Sequence, residues 1–170
     1  MERYVLLVKA PRDHDISPVR EELREFLGER HPELKVEMHR CIGLTVDLVI
    51  LHGDGVVLVK RKNEPFKGSF ALPGGFVEYG ERVEEAAVRE AKEETGLDVR
   101  LIRLVGVYSD PNRDPRGHTV TTAFLALGRG EPRAGDDAKE VHVVPVDEAL
   151  ELALAFDHSR ILRDALGVRE

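Results

Sequence analysis

The sequence predicts an α/β (α+β) domain spanning residues 41–170, preceded by a small β-α-β extension over residues 1–40. Three observations lead there. Aliphatic and β-branched runs of strand length recur along the chain, separated by turn-forming residues. Residues 82–95 contain neither Gly nor Pro and carry Val83, Ala86, Ala87, Val88 and Ala91 at largely helical spacing. A chain of 170 residues with 42% hydrophobic content is long enough for one sizeable core and too apolar for disorder.

In the extension, Tyr4–Lys9 reads as a strand, Ser17-Pro18 as the N-cap and N1 pair of a helix to about Arg30, and Leu34–Met38 as a second strand. Two strands and one helix are too few to be stable alone. His14, His31 and His39 are scattered through it, as surface histidines are. The main domain opens with strands Cys41–Leu51 and Val56–Arg61 around His52-Gly53-Asp54-Gly55, a hairpin signal. Asn63–Ser69 is a loop leading to Leu72-Pro73-Gly74-Gly75-Phe76, whose paired glycines call for a tight turn or a close approach. The helix over residues 82–95 stops at Gly96, a good C′ residue. Strands Leu101–Tyr108 and Thr119–Leu127 follow, separated by a loop. Then come an apolar alternation at Val141, Val143, Val144 and Pro145 and a short helix opening at Val146-Asp147. Asp157 reads as the N-cap of a last helix, His158–Leu166.

Composition narrows the function classes. A net charge of −7 argues against a nucleic-acid surface, which needs net basic patches. No apolar run approaches membrane-spanning length, and the first ten residues are interrupted too soon for a signal peptide, so a cytoplasmic location is expected. The single cysteine, Cys41, excludes an internal disulfide and reads as a core or edge residue. Glutamine is absent, asparagine occurs only at positions 63 and 112, and 34% of residues are charged, a mix typical of thermophilic proteins.

The chemistry concentrates on the helix over residues 82–95. Glu90, Glu93 and Glu94 stand at i, i+3 and i+4, which places three carboxylates on one helical face. Like charges at this spacing cost roughly 0.2–0.5 kcal/mol per pair. A divalent cation removes that conflict, and an all-oxygen donor set favours Mg²⁺ or Mn²⁺ over Zn²⁺. The bland alternative is a solvated acidic face balanced by Arg82, Arg89 and Lys92.

The order Gly75, Glu81, Arg89, Glu90, Ala91, Glu93, Glu94, Gly96, Leu97 resembles the Nudix box at every defined position. The resemblance implies a mixed β-sheet sandwiched between helices and hydrolysis of a nucleoside diphosphate linked to another moiety. It also implies Mg²⁺, with Mn²⁺ as a substitute, held by Glu90, Glu94, nearby Glu93 and the main-chain carbonyl of Gly74. Glu81 and Arg89, counted with the catalytic set, are expected to pair and fix the loop against the helix, with direct contact of Glu81 to metal or water as the alternative. The group that orients the attacking water varies within the family. That group comes from outside the box, with Glu140 the favoured candidate over Asp136 and Asp137, while Glu93 counts among the catalytic residues through its place beside the metal. Extensions such as residues 1–40 often join two copies in relatives, so a homodimer is expected.

The loop Tyr108–His118 points to the substrate. Arg113, Arg116 and His118 stand among turn-forming residues, and Arg can hold phosphate or ribose oxygens bidentately. Pro111 lies fifteen residues beyond Gly96, and this spacing, with the Asp114-Pro115-Arg116-Gly117-His118 run, resembles Nudix enzymes that act on ADP-ribose. Arg61 and Phe76 complete the expected substrate-binding set, and Phe66, Phe70 and Tyr108 are further stacking candidates. The competing reading of the loop is a turn that fixes only its own shape. Rival functions are hydrolysis of free or oxidised nucleoside triphosphates and a ligand-sensing regulator. The regulator is disfavoured because the box is complete and the residues after Asp157 fit one helix.

Overall fold

The computed structural model describes residues 17–30, 42–134 and 138–168. The chain divides into two compact units, Met1–Cys41 and Ile42–Glu170. In the first unit, helix α1 spans Ser17–Arg30, where the Ser-Pro start was expected. Arg30 stacks on Phe26 one turn earlier, its guanidinium carbon 4.6 Å from the ring centre. The predicted strands Tyr4–Lys9 and Leu34–Met38, along with Cys41, His14, His31, His39, Asp136 and Asp137, lie outside the described residues.

In the second unit the strands are β1 (Gly43–His52), β2 (Gly55–Arg61), β3 (Phe70–Ala71), β4 (Gly74–Phe76), β5 (Asp98–Tyr108), β6 (Thr119–Arg129) and β7 (Ala138–Pro145). The helices are α2 (Val83–Thr95), α3 (Val146–Glu151) and α4 (His158–Leu166). Strand β1 lies at the centre. It runs parallel to β6 from Gly43 opposite Thr119 to Leu51 opposite Leu127. Its other edge is shared, with β4 antiparallel to its start and β2 antiparallel to its end. Strand β7 pairs with β2, and β5 with β6, both antiparallel. The result is an open mixed sheet with main strand order β3-β2-β1-β6-β5.

Strand β1 is apolar on both faces because both are covered. Val46, Leu48 and Ile50 pack with Ala86, Ala87 and Ala91 of α2, whereas Val49 packs with Ile161, Leu162 and Ala165 of α4. Alternation along one strand therefore assigns α2 to one face of the sheet and α4 to the other. It also places Asp47 on the α4 face, between Thr45 and Val49. Thr45 is 8% and Asp47 6% exposed, unusual for a carboxylate within a strand.

Three departures from expectation have local causes. Strands β3 and β4 are additions to the expected set, β4 falling in the glycine segment Leu72-Pro73-Gly74-Gly75-Phe76, which has little strand propensity and is held by its neighbours. Strand β5 begins three residues earlier than expected, and two register shifts against β6 blur its alternation. Asp157 precedes α4 as expected, yet its side chain makes no capping bond. Arg113 takes that carboxylate instead.

Candidate active site

Helix α2 presents its carboxylates to a fixed loop. Its N-terminus is closed by a capping pair in which the Arg82 N–H donates to Glu85. Gly96 ends it at φ 71°, the left-handed conformation that glycine suits. Just upstream, Glu81 accepts the Glu78 N–H at 3.0 Å and two bonds from Arg89, at 2.9 and 3.0 Å. Arg89 also donates to the Phe76 carbonyl at 3.0 Å, to Glu90 at 2.7 Å and to Glu93 at 3.2 Å. One guanidinium thus ties the end of β4 to three glutamates. The hydrogen bond from Arg89 holds the Glu81 carboxyl below its ordinary range and raises Arg89 above its own. For Glu90, burial outweighs the Arg89 bond, so its carboxyl is pushed up.

Two carboxylates close on the paired glycines of β4. Glu94 accepts the Gly74 N–H at 2.9 Å. The Glu90 carboxylate occupies the place where a side chain on Gly75 would begin. A side chain on Gly74 would run into the Val46 carbonyl and Asp47. Both glycines are therefore required by close approach, one to a strand and one to a carboxylate. The donors fit a hard divalent cation, being carboxylate oxygens beside main-chain carbonyls. Among the described residues no three acidic or imidazole side chains already converge on a single point. Glu93 is turned to Arg89, with 60% of its side chain exposed, and joins such a set only by rotating away.

Behind β4 lies a buried polar brace. The Leu72 N–H, next to the Gly74 pair, donates to Nδ1 of His158 at 2.9 Å. Nδ1 is then an acceptor, which places the ring proton on Nε2, 3.4 Å from Asp47 Oδ1. Burial holds the His158 imidazole below its ordinary range despite Asp47, in accord with that neutral tautomer. Asp47 Oδ2 accepts from Arg113 at 3.2 Å. Arg113 in turn grips Asp157 at 2.6 and 2.9 Å and reaches Thr119 at 3.2 Å.

A cavity of about 210 Å³ joins these parts. Glu94, Gly74, Gly75 and Phe76 line it, together with Arg61, Arg116 and Phe156. Arg61 and Arg116 both stack on Phe156, with guanidinium carbons 4.8 and 5.5 Å from the ring centre. Arg116 is held by Asp114, whose carboxyl burial alone would raise but which the Arg116 bonds bring below its ordinary range.

The expected residues separate into groups. Glu81, Arg89, Glu90, Glu93 and Glu94 meet around Arg89 and β4. Arg61, Arg116 and Phe76 line the cavity. Arg113 reaches it too, but its side chain is only 4% exposed and is engaged by two aspartates. His118 turns back to the Ser109 carbonyl at 3.3 Å and does not line the cavity. Glu140 lies opposite Lys60 in the β2–β7 pair and contacts Lys60 and His142. Tyr108 is buried, its hydroxyl donating to Asp164, and Phe70 packs in the core. Sequence reasoning missed Asp47, His158 and Phe156. A charge inside the apolar run of β1 was a visible signal for Asp47. Phe156 and His158 flank Asp157, which drew attention only as a cap.

Residues 42–165 match the NUDIX domain, so the chain belongs to this family, and fold and site together define a Nudix hydrolase. Over 132 residues it is 54% identical to an ADP-ribose pyrophosphatase of Methanocaldococcus jannaschii, an overlap covering 76% of each chain. It is 35% identical over 132 residues to the ADPR responsive transcriptional repressor NtrR of Acinetobacter baylyi, across 73% of this chain and 53% of the repressor. In three dimensions it is similar to the NUDIX domain of Shewanella oneidensis NrtR in complex with ADP ribose. That likeness has a TM-score of 0.72 and 29% identity, over 82% of this chain and 96% of the other.

Proposed function

We propose that the protein hydrolyses the diphosphate bond of ADP-ribose, giving AMP and ribose 5-phosphate, with Mg²⁺ as cofactor and Mn²⁺ as a substitute. One observation carries this reading: a single cavity is lined both by the Glu94–Gly74–Gly75 cluster and by the guanidiniums of Arg61 and Arg116. The similarity to an ADP-ribose pyrophosphatase supports the choice of substrate.

In this reading Glu90, Glu94 and the Gly74 carbonyl hold the cation, and Glu93 reaches it after leaving Arg89. A divalent cation there would screen the diphosphate charge and make a nearby water more acidic. Glu81 and Arg89 keep the loop and helix in register and do not touch substrate. Glu93 then orients or deprotonates the attacking water, since it is the most exposed carboxylate at Arg89 and has one contact to give up. Glu140 is the alternative for that step. Arg61 and Arg116 hold phosphate oxygens beside Phe76, and Arg113 and His118 act through the shape of the substrate loop. The homodimer and the cytoplasmic location belong to the same proposal. Light scattering of the purified chain checks the dimer. Among the described residues no helix is long and apolar enough to cross a membrane.

A second reading, a regulator that binds ADP-ribose without cleaving it, is favoured by the likeness to the Acinetobacter repressor. Hydrolysis of ADP-ribose, NADH, diadenosine polyphosphates and nucleoside triphosphates, with Mg²⁺ and with chelator, separates the possibilities. Metal-dependent turnover with the highest kcat/KM on ADP-ribose is the expected result. Preference for a triphosphate overturns the substrate assignment, and tight ADP-ribose binding without turnover favours the regulator.

A further inference from the structure

Among the described residues only two non-glycine positions have positive φ, Phe66 at 61° and Phe156 at 56°. Aromatic side chains rarely adopt this conformation, which is strained for any residue with a Cβ. The two are 90 positions apart, yet their rings touch edge to face, with centres 4.8 Å apart. Phe156 lines the cavity, and Phe66 backs it through that contact. Strain concentrated at one place in a fold points to a local task rather than to chance.

The surroundings of Phe156 show what that task is. Arg61 and Arg116 crowd onto its ring, and Arg116 also lies 5.9 Å from the Phe76 ring centre. The two cations disfavour each other. Burial first, and then the charge of Arg116, hold the Arg61 guanidinium below its ordinary range. Their donors are only partly engaged. Arg61 gives Nε to the Pro65 carbonyl at 2.7 Å, and Arg116 gives Nε and Nη2 to Asp114. Both Nη groups of Arg61 and Nη1 of Arg116 meet no acceptor among the described residues. Asp114 neutralises Arg116, whereas Arg61 makes no ion pair among the described residues.

We propose that Phe156 is a positioning residue for anion recognition: its ring, held in a left-handed backbone against Phe66, keeps Arg61 and Arg116 together as a two-guanidinium seat for the non-bridging oxygens of a diphosphate. The ring face attracts each guanidinium and so offsets their mutual repulsion before any anion arrives. The anion then meets donors already oriented, and the cost of ordering two long side chains on binding is reduced. This inference rests on the diphosphate reading of the cavity but not on which nucleotide carries the diphosphate.

Two variants and two readouts test it. Phe156→Asn removes the ring and keeps a residue that tolerates the left-handed backbone, while Phe156→Tyr keeps the ring. In Phe156→Asn, KM for ADP-ribose should rise about tenfold with kcat within about twofold, and Phe156→Tyr should restore wild-type KM. Calorimetric titration with inorganic pyrophosphate in the presence of chelator reads the seat without metal or turnover. Affinity should fall about tenfold in Phe156→Asn and stay unchanged in Phe156→Tyr. Should Phe156→Asn fail to fold, Arg61→Lys keeps the charge, loses the planar stack and should show the same loss of pyrophosphate affinity. Wild-type pyrophosphate affinity in folded Phe156→Asn, or a fall in kcat at constant KM, overturns the proposal. A wild-type protein that binds pyrophosphate through this seat but does not hydrolyse ADP-ribose sinks the substrate assignment alone.

Discussion

Gly75→Ala separates the geometry of the carboxylates from the stability of the fold. Gly75 is not among the glycines with positive φ, so alanine suits its backbone. The added methyl falls on the Glu90 carboxylate, the mobile end of a side chain. Strand β4 can therefore keep its pairing with β1 while Glu90 swings aside. Moving Glu90 breaks the 2.7 Å bond from Arg89, and hydrogen bonds to charged groups contribute about 1.5–3 kcal/mol. That range corresponds to roughly 10- to 150-fold in population of the productive arrangement, at about 1.4 kcal/mol per factor of ten. Both Mn²⁺ affinity and kcat/KM on ADP-ribose should fall by that factor. The fold loses at most that one bond, so thermal stability should fall by no more than about 3 kcal/mol and the protein stays folded. The assays are Mn²⁺ titration followed by electron paramagnetic resonance, initial rates, and a melting curve. A folded Gly75→Ala protein with wild-type Mn²⁺ affinity and activity would refute the placement of Glu90 at the cation.

Glu94→Gln keeps an acceptor for the Gly74 N–H but loses the charge, so it should fold normally while Mn²⁺ affinity and turnover drop by about 100-fold or more; near-normal rates count against the metal assignment. Comparing Glu93→Gln with Glu140→Gln locates the group that handles water. The expected result is a loss of about 100-fold in kcat for Glu93→Gln only, and the reverse pattern transfers the role to Glu140. His158 titrates in the unfolded chain near its ordinary value of 6.5 and lower when folded. The unfolded state then binds more protons just below pH 6.5, so stability is fully present above that value and falls as the pH drops towards the folded pKa. Denaturant melts from pH 7 to 5 should show this slope in the wild type and a shallower one in His158→Asn, which keeps an acceptor for the Leu72 N–H. Equal slopes remove His158 from the account.

Much of the scaffold was legible because local signals and tertiary demands agree. The helix over residues 82–95 carries small apolar residues on its inner face and a glycine stop, and the structure places α2 and Gly96 there. The same agreement holds for the hairpin at Gly53-Asp54, for β6 and for α4. The pairing of Glu81 with Arg89 was expected from the resemblance to the Nudix box, and opposite charges bracketing a helix start are compatible with it. What stayed hidden depends on contacts between segments far apart in the chain. Nothing in Leu72-Pro73-Gly74-Gly75 favours a strand, since β4 exists through pairing with Thr45, Val46 and Asp47. Arg113 looked like a substrate ligand because the two aspartates that hold it, at positions 47 and 157, come from other elements. Phe156 was missed for the same reason, as its significance lies in Phe66, Arg61 and Arg116.

The face of α2 that meets the sheet is built from Ala86, Ala87 and Ala91, all fully buried. These are among the shortest side chains that can fill a helix-to-sheet contact, and close-packed interiors leave no slack to absorb a longer one. The three methyl groups therefore act as a gauge block that sets how high the helix rides above the strands. A larger residue at position 87 would lift Glu90 and Glu94 off the glycines together, detuning the acidic face without altering a single charged atom.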